Sequence, residues 1–217
     1  MAARNETSLQ VFARAPVAGS VKTRLIPLLG EHGAAALHRS LVEHSLGVAR
    51  ESGLGQVELW CTPDTDDGFF RACRERFGVT LHRQCGGDLG AKMLDALEDG
   101  LERSRQVLLV GSDCPALTAA DLRAAARALR EGRDAVFCPA EDGGYILVGL
   151  SHAMPALFEA MPWGTDTVMA ETRQRLHNLG WRWHELTEGW DVDRPEDYLR
   201  LVREGLMAAP IPINRAL

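Results

Sequence analysis

Short apolar runs alternate with amphipathic segments along most of the chain. The apolar runs predict strands at 8–13, 56–61, 78–82, 106–111, 134–139, 144–150 and 181–186. The segments between them have apolar residues at helical spacing and predict helices near 31–51, 66–76, 88–103, 118–131, 153–160, 166–179 and 195–206. Strand–helix alternation is typical of a mainly parallel sheet with helices on both faces, in which the strands can be apolar throughout. The pattern therefore predicts one three-layer α/β/α domain over residues 1–217, with an irregular tail from Met207 onward.

Composition and charge argue against nucleic acid and membranes as partners of this protein. The chain has a net charge of −6, and an acidic balance argues against a broad nucleic-acid surface, since phosphate binding depends on clustered lysines and arginines. It has no apolar run of about 18 residues that could span a membrane, and its first residues lack the layout of a signal peptide. The five cysteines form no C-x-x-C pair, which favours a reducing cytoplasm. An anionic ligand must then be held locally, by a few concentrated basic residues.

The loop after the first predicted strand has such a concentration. Residues 12–30, FARAPVAGSVKTRLIPLLG, place Arg14, Lys22 and Arg24 around Gly19. A glycine lets the backbone approach an anion closely, and flanking cations hold the anion. The loop is not a Walker A motif, because its lysine does not follow a glycine. It predicts a phosphate-binding loop, with a solvated basic loop as the alternative.

An acid stands at the tip of the strand predicted at 106–111. In the stretch that follows, Thr118 and Asp121 form a capping box for the next predicted helix. Since that helix already has its cap, Asp113 is a candidate ligand for a divalent cation such as Mg²⁺. The alternative is an Asx-turn in which Asp113 binds its own backbone ahead of Pro115.

A third loop, PAEDGGYILVGL (139–150), puts Glu141 and Asp142 before a pair of glycines. Asp-Gly is a strong hairpin signal, so a turn between two antiparallel strands accounts for the glycines. The pattern leaves open whether the acids or Tyr145 also face a substrate.

A fourth loop, GWDVDRPEDYLRL (189–201), precedes the last predicted helix. Pro195 opens that helix, and the acids in its first turn suit the helix dipole. Asp191 and Asp193 are two residues apart on an extended segment, so their side chains point to the same side. One of them could cap the helix, and one could share a cation with Asp113.

Smaller signals have two interpretations each. Asp88 stands at a predicted helix start as an N-cap, and the two glycines before it could instead let a nucleobase rest against the backbone. The histidines form no H-x-x-x-H pair, which argues against a zinc site. Cys114 is interpreted as a small packed residue, and Trp163 and Trp190 as core residues or pocket walls.

Five segments, taken in order, carry a family resemblance: A-P-V-A-G-S-V-K-T-R-L, G-S-D-C-P-A-L, E-D-G-G-Y-I-L-V-G-L, W-G-T-D-T-V and D-V-D-R-P-E-D. Over nearly its whole length the chain resembles the nucleotide-diphosphosugar transferase superfamily. Within it, the chain is similar to a bacterial family of glycosyltransferases associated with arsenosugar biosynthesis, or with radical-SAM and selenium-linked gene clusters. The resemblance implies a glycosyltransferase-A type fold with a mixed, mostly parallel sheet. It also implies a cytoplasmic transferase that takes a nucleotide or nucleotide sugar and a small-molecule acceptor, with Mg²⁺ or Mn²⁺ as cofactor.

The resemblance also implies roles by position. Asp113, Lys22 and Asp142 would be catalytic, and Asp113 with Asp193 would bind the metal. Pro115 stands where a D-x-D motif has its second aspartate. The nucleotide-binding set would be Ala15, Pro16, Gly19, Lys22, Arg24, Gly86, Gly87, Asp88 and Ser112. The substrate-binding set would be Gly143, Gly144, Tyr145, Trp163 and Asp166, and Asp142 and Asp166 are the candidates for a general base.

The leading hypothesis is glycosyl transfer from a nucleotide-activated donor. A cation between Asp113 and Asp193, aided by Lys22 and Arg24, would stabilise the charge that develops on the leaving phosphate. The alternative is a nucleotidyltransferase of the cytidylyl or guanylyl type, which joins a nucleoside triphosphate to a phosphorylated small molecule and releases pyrophosphate. The D-V-D-x-P-E-D segment is shared with that class. A non-catalytic nucleotide sensor with the same fold is a third interpretation.

Overall fold

A computed structural model describes residues 5–207, and within them each predicted strand is present. The strands are β1 (Asn5–Arg14), β2 (Gly55–Thr62), β3 (Thr80–Arg83), β4 (Ser104–Gly111), β5 (Ala135–Pro139), β6 (Tyr145–Leu150) and β7 (Trp183–Glu185). The helices are α1 (Ile26–Ser52), α2 (Gly68–Phe77), α3 (Leu89–Arg103), α4 (Ala119–Arg130), α5 (Val168–Asn178) and α6 (Pro195–Glu204). The irregular tail predicted from Met207 onward lies outside the described residues, apart from Met207 itself.

Two predicted helices differ from the structure. The segment predicted at 153–160 is helical only as a 3-10 turn over Pro155–Leu157. Its apolar residues, Leu157 and Phe158, are buried and anchor a loop rather than form the face of a helix, and Ala160 leaves helical geometry with φ 50°. The first helix begins earlier than predicted and is kinked at Gly30, where φ is 71°. The regular part of α1 therefore starts where the helical pattern predicted it.

The strands form one sheet in the order β3-β2-β1-β4-β6-β5-β7. β6 runs antiparallel to both of its neighbours, β4 and β5, and the other pairs are parallel. The mixed, mostly parallel sheet is thus confirmed, and so is the β5–β6 hairpin that the Asp-Gly signal predicted. In the β1–β4 register Phe12 lies opposite Gly111, so both strands end side by side and their following loops emerge together.

Helices cover both faces of the sheet, which confirms the three-layer arrangement. Helices α1, α2 and α4 bury one face around Leu59 and Leu108, and α3 and α5 bury the other around Leu109 and Val148. Helix α6 packs on α1 through Tyr198 and Leu201. The capping box predicted at the start of α4 is also present: Asp121 N–H donates to Thr118 Oγ1 (3.2 Å), and Thr118 N–H donates to Asp121 Oδ2 (2.9 Å). Within residues 5–207, no helix combines the length and apolarity needed to span a lipid bilayer.

A polar network interrupts the apolar face beneath α3, which the strand pattern did not predict. Glu58, in the middle of β2, is 3% exposed and accepts hydrogen bonds from Ser8 Oγ (3.0 Å), Trp60 Nε1 (3.0 Å) and Arg103 (2.9 Å). Gln10 Nε2 also contacts it at 3.3 Å and donates to a carbonyl of α3 at 2.6 Å. Because the donors come from β1, β2 and α3, this one carboxylate links three elements.

Candidate active site

The loop after β1 turns its lysine inward. Ser20 N–H donates to Val17 O (3.0 Å), and Gly19 has φ 79°, which closes a tight turn. Lys22 itself has a left-handed backbone with φ 48° and ψ 42° and precedes a short 3-10 turn. Its side chain is only 5% exposed. A buried ammonium group needs a partner, and the position of that partner defines the site.

The partner is Asp113, at the tip of β4. Lys22 Nζ lies 2.9 Å from Asp113 Oδ2. Burial alone would raise the pKa of this carboxyl, but the charges of Lys22 and His38 outweigh burial and the pKa is lowered, so Asp113 is ionised at neutral pH. The helix that follows is capped by Thr118 as predicted, which leaves Asp113 without a capping role. The side chain of Asp113 is therefore part of a charged site and not of a local turn.

A shallow basin surrounds this pair. It is lined by basic residues, hydroxyl groups and two carboxylates: Arg14, Ser20, Val21, Lys22, Thr23, Arg24, His38, Asp113 and Asp193. Arg24 forms an ion pair with Asp193 Oδ2. The basin lies beyond the carboxyl ends of β1 and β4, where ligands bind in open α/β sheets. Three cations line the basin at the place where the sequence predicted a local anion-binding surface, and two of them, Lys22 and Arg24, are paired with carboxylates.

His38, on α1, is a site residue that the sequence did not reveal. Its Nε2 lies 2.9 Å from Arg14 O, and its Nδ1 lies 3.8 Å from Asp113 Oδ1. Burial is the main cause that lowers the pKa of His38, although the charge of Asp113 opposes it. The sequence-based search considered histidines only as paired zinc ligands, and a single histidine on the buried face of a helix has the pattern of a core residue.

The segment before α6 lies against the tip of β4. Val192 N–H donates to Asp113 O at 3.0 Å, which brings two segments that are distant in sequence into contact. Neither Asp191 nor Asp193 caps α6, because Asp197 Oδ2 accepts from the backbone of Asp193 (3.1 Å) and of Arg194 (2.7 Å). The suggestion that one of the two acids caps the helix is therefore wrong. Neither carboxylate is therefore used by the helix terminus, and both are available to the site.

Asp191 joins the basin to a second pocket. Burial, reinforced by the charge of Asp113, raises the pKa of Asp191 to about 7. Lys22 acts in the opposite direction, and the charges of Asp142 and Asp193 add to the rise. Because Asp191 interacts with groups on both sides, it marks the boundary between the two cavities.

The second pocket contains most of the predicted substrate-binding residues. Of these, Gly144, Tyr145 and Trp163 line it, together with Asp142 and Asp191. The remaining lining residues are Leu89, Met93, Gly164, Thr165 and Val168. Asp142 Oδ1 accepts from Gly144 N–H (2.9 Å), which fixes the carboxylate at the start of β6. Glu141 is turned away from the pocket and pairs with Arg200 at 2.9 Å.

Gly143 and Asp166 have a structural relationship instead. A Cβ added at Gly143, where φ is 87°, would lie 2.0 Å from Asp166 O, and Gly143 O accepts from Met169 N–H at 2.8 Å. The hairpin turn thus packs directly on the backbone that leads into α5. The side chain of Asp166 is exposed and does not line the pocket, which leaves Asp142 as the better placed of the two candidate bases.

The other predicted nucleotide-binding residues are less directly placed. Asp88 is the N-cap of α3, with its Oδ1 accepting from Ala91 N–H at 2.8 Å, as the capping interpretation expected. Gly86 and Gly87 are exposed beside it, next to Leu89 at the pocket rim. Ala15, Pro16 and Ser112 flank the basin in sequence but do not line it, and Ala15 N–H donates to Thr62 O (2.8 Å). These three residues therefore shape the loops that carry Lys22 and Asp113.

The basin has the donor chemistry for a divalent cation. Asp113 Oδ1 is buried and has no hydrogen-bond partner among residues 5–207, and His38 Nδ1 beside it is also unpartnered. A buried carboxylate oxygen without a donor is costly unless a cation or a proton satisfies it. Oxygen ligands of this kind are those that Mg²⁺ and Mn²⁺ prefer. Asp113 therefore has an oxygen left for a cation, although among the described residues no three ligating groups gather around it.

One other cluster could formally hold a metal. Ligand atoms of Glu58, His82 and Asp99 lie within 4.8 Å of one another. The oxygens of Glu58 already accept from Ser8, Gln10, Trp60 and Arg103, and Asp99 pairs with Arg103 at 2.6 Å. Because Glu58 accepts from several donors and Asp99 is ion-paired with Arg103, the cluster acts as a structural ion network. Cys114 is no nucleophile candidate either, because burial raises the pKa of its thiol to about 11.

The fold is that of the nucleotide-diphospho-sugar transferases, as predicted. A protein from Desulfovibrio desulfuricans G20, provisionally named a nucleotide-diphospho-sugar transferase, is 28% identical with a TM-score of 0.82, over 91% of this chain and 86% of that chain. CMP:2-keto-3-deoxy-manno-octonic acid synthetase in complex with CTP is 13% identical with a TM-score of 0.59, over 93% of this chain and 98% of that chain. A manganese complex of Rv0371c from Mycobacterium tuberculosis H37Rv is 21% identical with a TM-score of 0.51, over 91% of this chain and 98% of that chain.

Residues 45–165 match the model of the family described as "Uncharacterized protein conserved in bacteria (DUF2064)", which is more than half of the chain. The protein belongs to this family. No curated protein matches the sequence.

Proposed function

We propose that this protein is a glycosyltransferase that transfers a sugar from a nucleotide-activated donor to a small-molecule acceptor, with the help of a divalent cation. One observation carries the proposal: Asp191, which lines the pocket of Tyr145 and Trp163, interacts electrostatically with Asp113 and Lys22 of the basic basin. A diphosphate in the basin and a sugar in the pocket would be held next to each other. The resemblance to arsenosugar-associated glycosyltransferases also supports glycosyl transfer.

The basin suits a diphosphate leaving group. When the bond between sugar and phosphate breaks, negative charge grows on the phosphate oxygens, and fixed cations stabilise it. Lys22 is held by burial and by Asp113, so its position costs little reorganisation during the reaction. Arg24 and Arg14 lie on the same basin and can bind the outer phosphate oxygens. We assign to Lys22 the main role in stabilising the leaving group.

Asp113 and Asp193 would hold the cation. Asp113 Oδ1 has the free, buried lone pairs that a metal requires, and Asp193 reaches the same basin while paired with Arg24. When bound, a divalent cation would act as a Lewis acid on the diphosphate. The manganese complex of a protein with the same fold supports a divalent cation in this protein.

Asp142 is the proposed general base toward the acceptor hydroxyl. It lines the second pocket, and the Gly144 N–H fixes one of its oxygens at 2.9 Å. The other oxygen has no hydrogen-bond partner within the described part of the chain, so it can accept a proton from a hydroxyl group within reach. Asp166, the second candidate, is exposed away from the pocket and is the weaker choice.

Nucleotidyl transfer is the second candidate function. It is favoured by the fold shared with a synthetase solved in complex with CTP. The two reactions differ in their products, since glycosyl transfer releases a nucleoside diphosphate and nucleotidyl transfer releases pyrophosphate. That difference separates them in one assay.

The test is a product analysis with panels of nucleotide sugars and nucleoside triphosphates, each with Mg²⁺, Mn²⁺ or a chelator. We expect nucleoside diphosphate release from at least one nucleotide sugar, with loss of activity in Asp113→Asn and no loss in Glu43→Gln. Glu43 pairs with Arg76 far from the basin and is the matched control for a lost carboxylate. Pyrophosphate release from a triphosphate, with no turnover of any nucleotide sugar, would reverse the assignment in favour of nucleotidyl transfer.

A further inference from the structure

The second pocket is small and its lining mixes apolar and polar side chains. Its cavity is about 210 Å³, a size suited to a single sugar ring. The apolar part of the lining consists of Leu89, Met93, Val168 and the ring of Trp163. The polar part includes the carboxyl groups of Asp142 and Asp191 and the phenol of Tyr145. Such an arrangement suits a ligand with an apolar face and a polar edge.

Two aromatic rings of the pocket lining, those of Tyr145 and Trp163, are held rigidly. The rings of Tyr145 and Trp163 meet edge to face with centroids 6.2 Å apart, and Tyr145 packs in the same way on Phe137 at 5.1 Å. The indole of Trp163 lies directly over Gly90, where any Cβ would come within 2.6 Å of Nε1. These contacts hold the rings in place before a ligand arrives, and the C–H face of a sugar ring packs well on such a surface.

The carboxyl groups that line the pocket, Asp142 and Asp191, have no basic partner there. Among the described residues that line it, none is lysine or arginine. Arg175 is close enough to influence Tyr145, but its guanidinium is engaged by Glu171 (2.9 Å) and by backbone carbonyls that include Ala156 O (2.9 Å). Lys22, on the basin side, is engaged by Asp113. A phosphate or carboxylate in this pocket would meet the carboxylate of Asp142 without a counter-charge.

We infer that the second pocket selects an uncharged or amino-bearing sugar ring and rejects sugars that carry a phosphate or a carboxylate. The inference rests on the proposed function and names the substrate class of the same site. Hydroxyl and ammonium groups donate to Asp142 and Asp191, whereas an anion beside the carboxylate of Asp142 is repelled by a like charge. The ring itself can belong to the donor or to the acceptor, because both are polyhydroxylated.

The test is a binding comparison among matched sugars: glucose, glucosamine, glucose 6-phosphate and glucuronate, and the same set built on galactose and mannose. Affinities are measured by isothermal titration with millimolar ligand, with and without saturating nucleoside diphosphate. We expect the neutral or amino member of at least one set to bind at least about tenfold more tightly than its anionic counterparts, as an unpaired like charge implies. Equal or tighter binding of the anionic members overturns the inference, and so does no binding of any sugar, either free or as its nucleotide sugar.

Two variants tie the selectivity to the pocket. Asp142→Asn removes one of the two carboxylates, and we expect it to reduce the preference for uncharged sugars. Glu141→Gln removes the neighbouring carboxylate, which pairs with Arg200 outside the pocket, and we expect the preference to stay unchanged. An unchanged preference in Asp142→Asn would contradict the inference.

Two further measurements distinguish a donor ring from an acceptor ring, and failure of this inference from failure of the proposed function. Free sugar that still binds with the diphosphate present occupies an acceptor position, whereas binding seen only as nucleotide sugar indicates the donor ring. If nucleotides bind and turn over but anionic sugars are preferred, this inference fails and the proposed function stands. If neutral sugars bind but no nucleotide does, the proposed function fails and the pocket assignment stands.

Discussion

Lys22 Nζ lies 2.9 Å from Asp113 Oδ2 and joins the loop after β1 to the loop after β4. The lysine is held by a left-handed backbone and by burial, so the loop is preorganised around this one contact. The pair also sets the charge state of the site, because Lys22 contributes to keeping Asp113 ionised against the effect of burial.

Replacing Lys22 by methionine should remove transition-state stabilisation while keeping the length of the side chain. For the transfer reaction proposed above, we expect kcat/KM to fall by about 10²–10³-fold, the usual loss for a preorganised donor. Arg76→Met is the matched control, since Arg76 pairs with Glu43 outside the basin. Steady-state kinetics on the active nucleotide sugar check the expectation, and equal losses in the two variants would contradict it.

Asp191 should make folding stability depend on pH. Its pKa is raised to about 7 in the folded protein, mainly by burial, whereas in the unfolded chain it titrates near about 3.9. Between these values the folded state holds a proton that the unfolded state releases, so this group lowers stability as pH rises, and the full cost is present above pH 7.

Asp191→Asn should therefore stabilise the protein at pH 8 by on the order of 2 kcal/mol and have little effect near pH 4, where the carboxyl is neutral in the folded state and only about half ionised in the unfolded chain. Urea denaturation at the two pH values, in a chelating buffer, measures the difference. Asp95→Asn, at an exposed position on α3, serves as the control. The same effect of Asp191→Asn at both pH values would show that burial does not shift this group.

Gly143 should tolerate no side chain. A Cβ there would lie 2.0 Å from Asp166 O, at a φ of 87°. Gly132 has nearly the same φ, 89°, but its Cβ would meet only the end of Arg182 at 3.6 Å. We expect Gly132→Ala to cost about 1–2 kcal/mol from backbone strain alone, and Gly143→Ala to cost at least about 2 kcal/mol more from the added clash. Urea denaturation curves of both variants test the difference, and equal losses would mean that the turn yields easily.

Glu58 should be a structural residue and not a metal ligand. Glu58→Gln removes the charge that Arg103 and the buried donors around it share, and we expect a loss of about 2–4 kcal/mol in the free energy of unfolding. Metal analysis of purified wild type and variant should give the same content. A metal that is bound by wild type and lost in Glu58→Gln would sink this interpretation.

More of the fold than of the candidate site could be predicted from the sequence. The central strands were predicted because buried strands leave unbroken apolar runs, whereas the edge strands β3 and β7 contain no buried residue and rested on weaker patterns. The meeting of residues near 113 and 193 followed from where strands of a parallel sheet end. The apolar residues Leu157 and Phe158 predicted a helix where the chain forms a loop, since spacing alone does not distinguish an anchored loop from a helix face.

Other features depend on tertiary contacts that no local pattern encodes. His38 has the spacing of a core residue and joins the site only because α1 packs over the ends of β1 and β4. The raised pKa of Asp191 arises from its burial beside Asp113. Gly143 was predicted to bind substrate, and that role stays a prediction, but its positive φ and its contact with Asp166 O already account for the glycine.

The reversed direction of β6 has a consequence for how such a protein can diversify. Because β6 starts at the edge where its neighbours end, a short hairpin delivers Asp142 and Tyr145 to the ligand edge without a crossover helix. The loops proposed to bind phosphate come from β1 and β4, on a different part of the chain. Under the proposed function, substitutions or insertions in the hairpin can change which ring is accepted and leave the phosphate-binding loops intact, so recognition and activation of substrate can evolve separately.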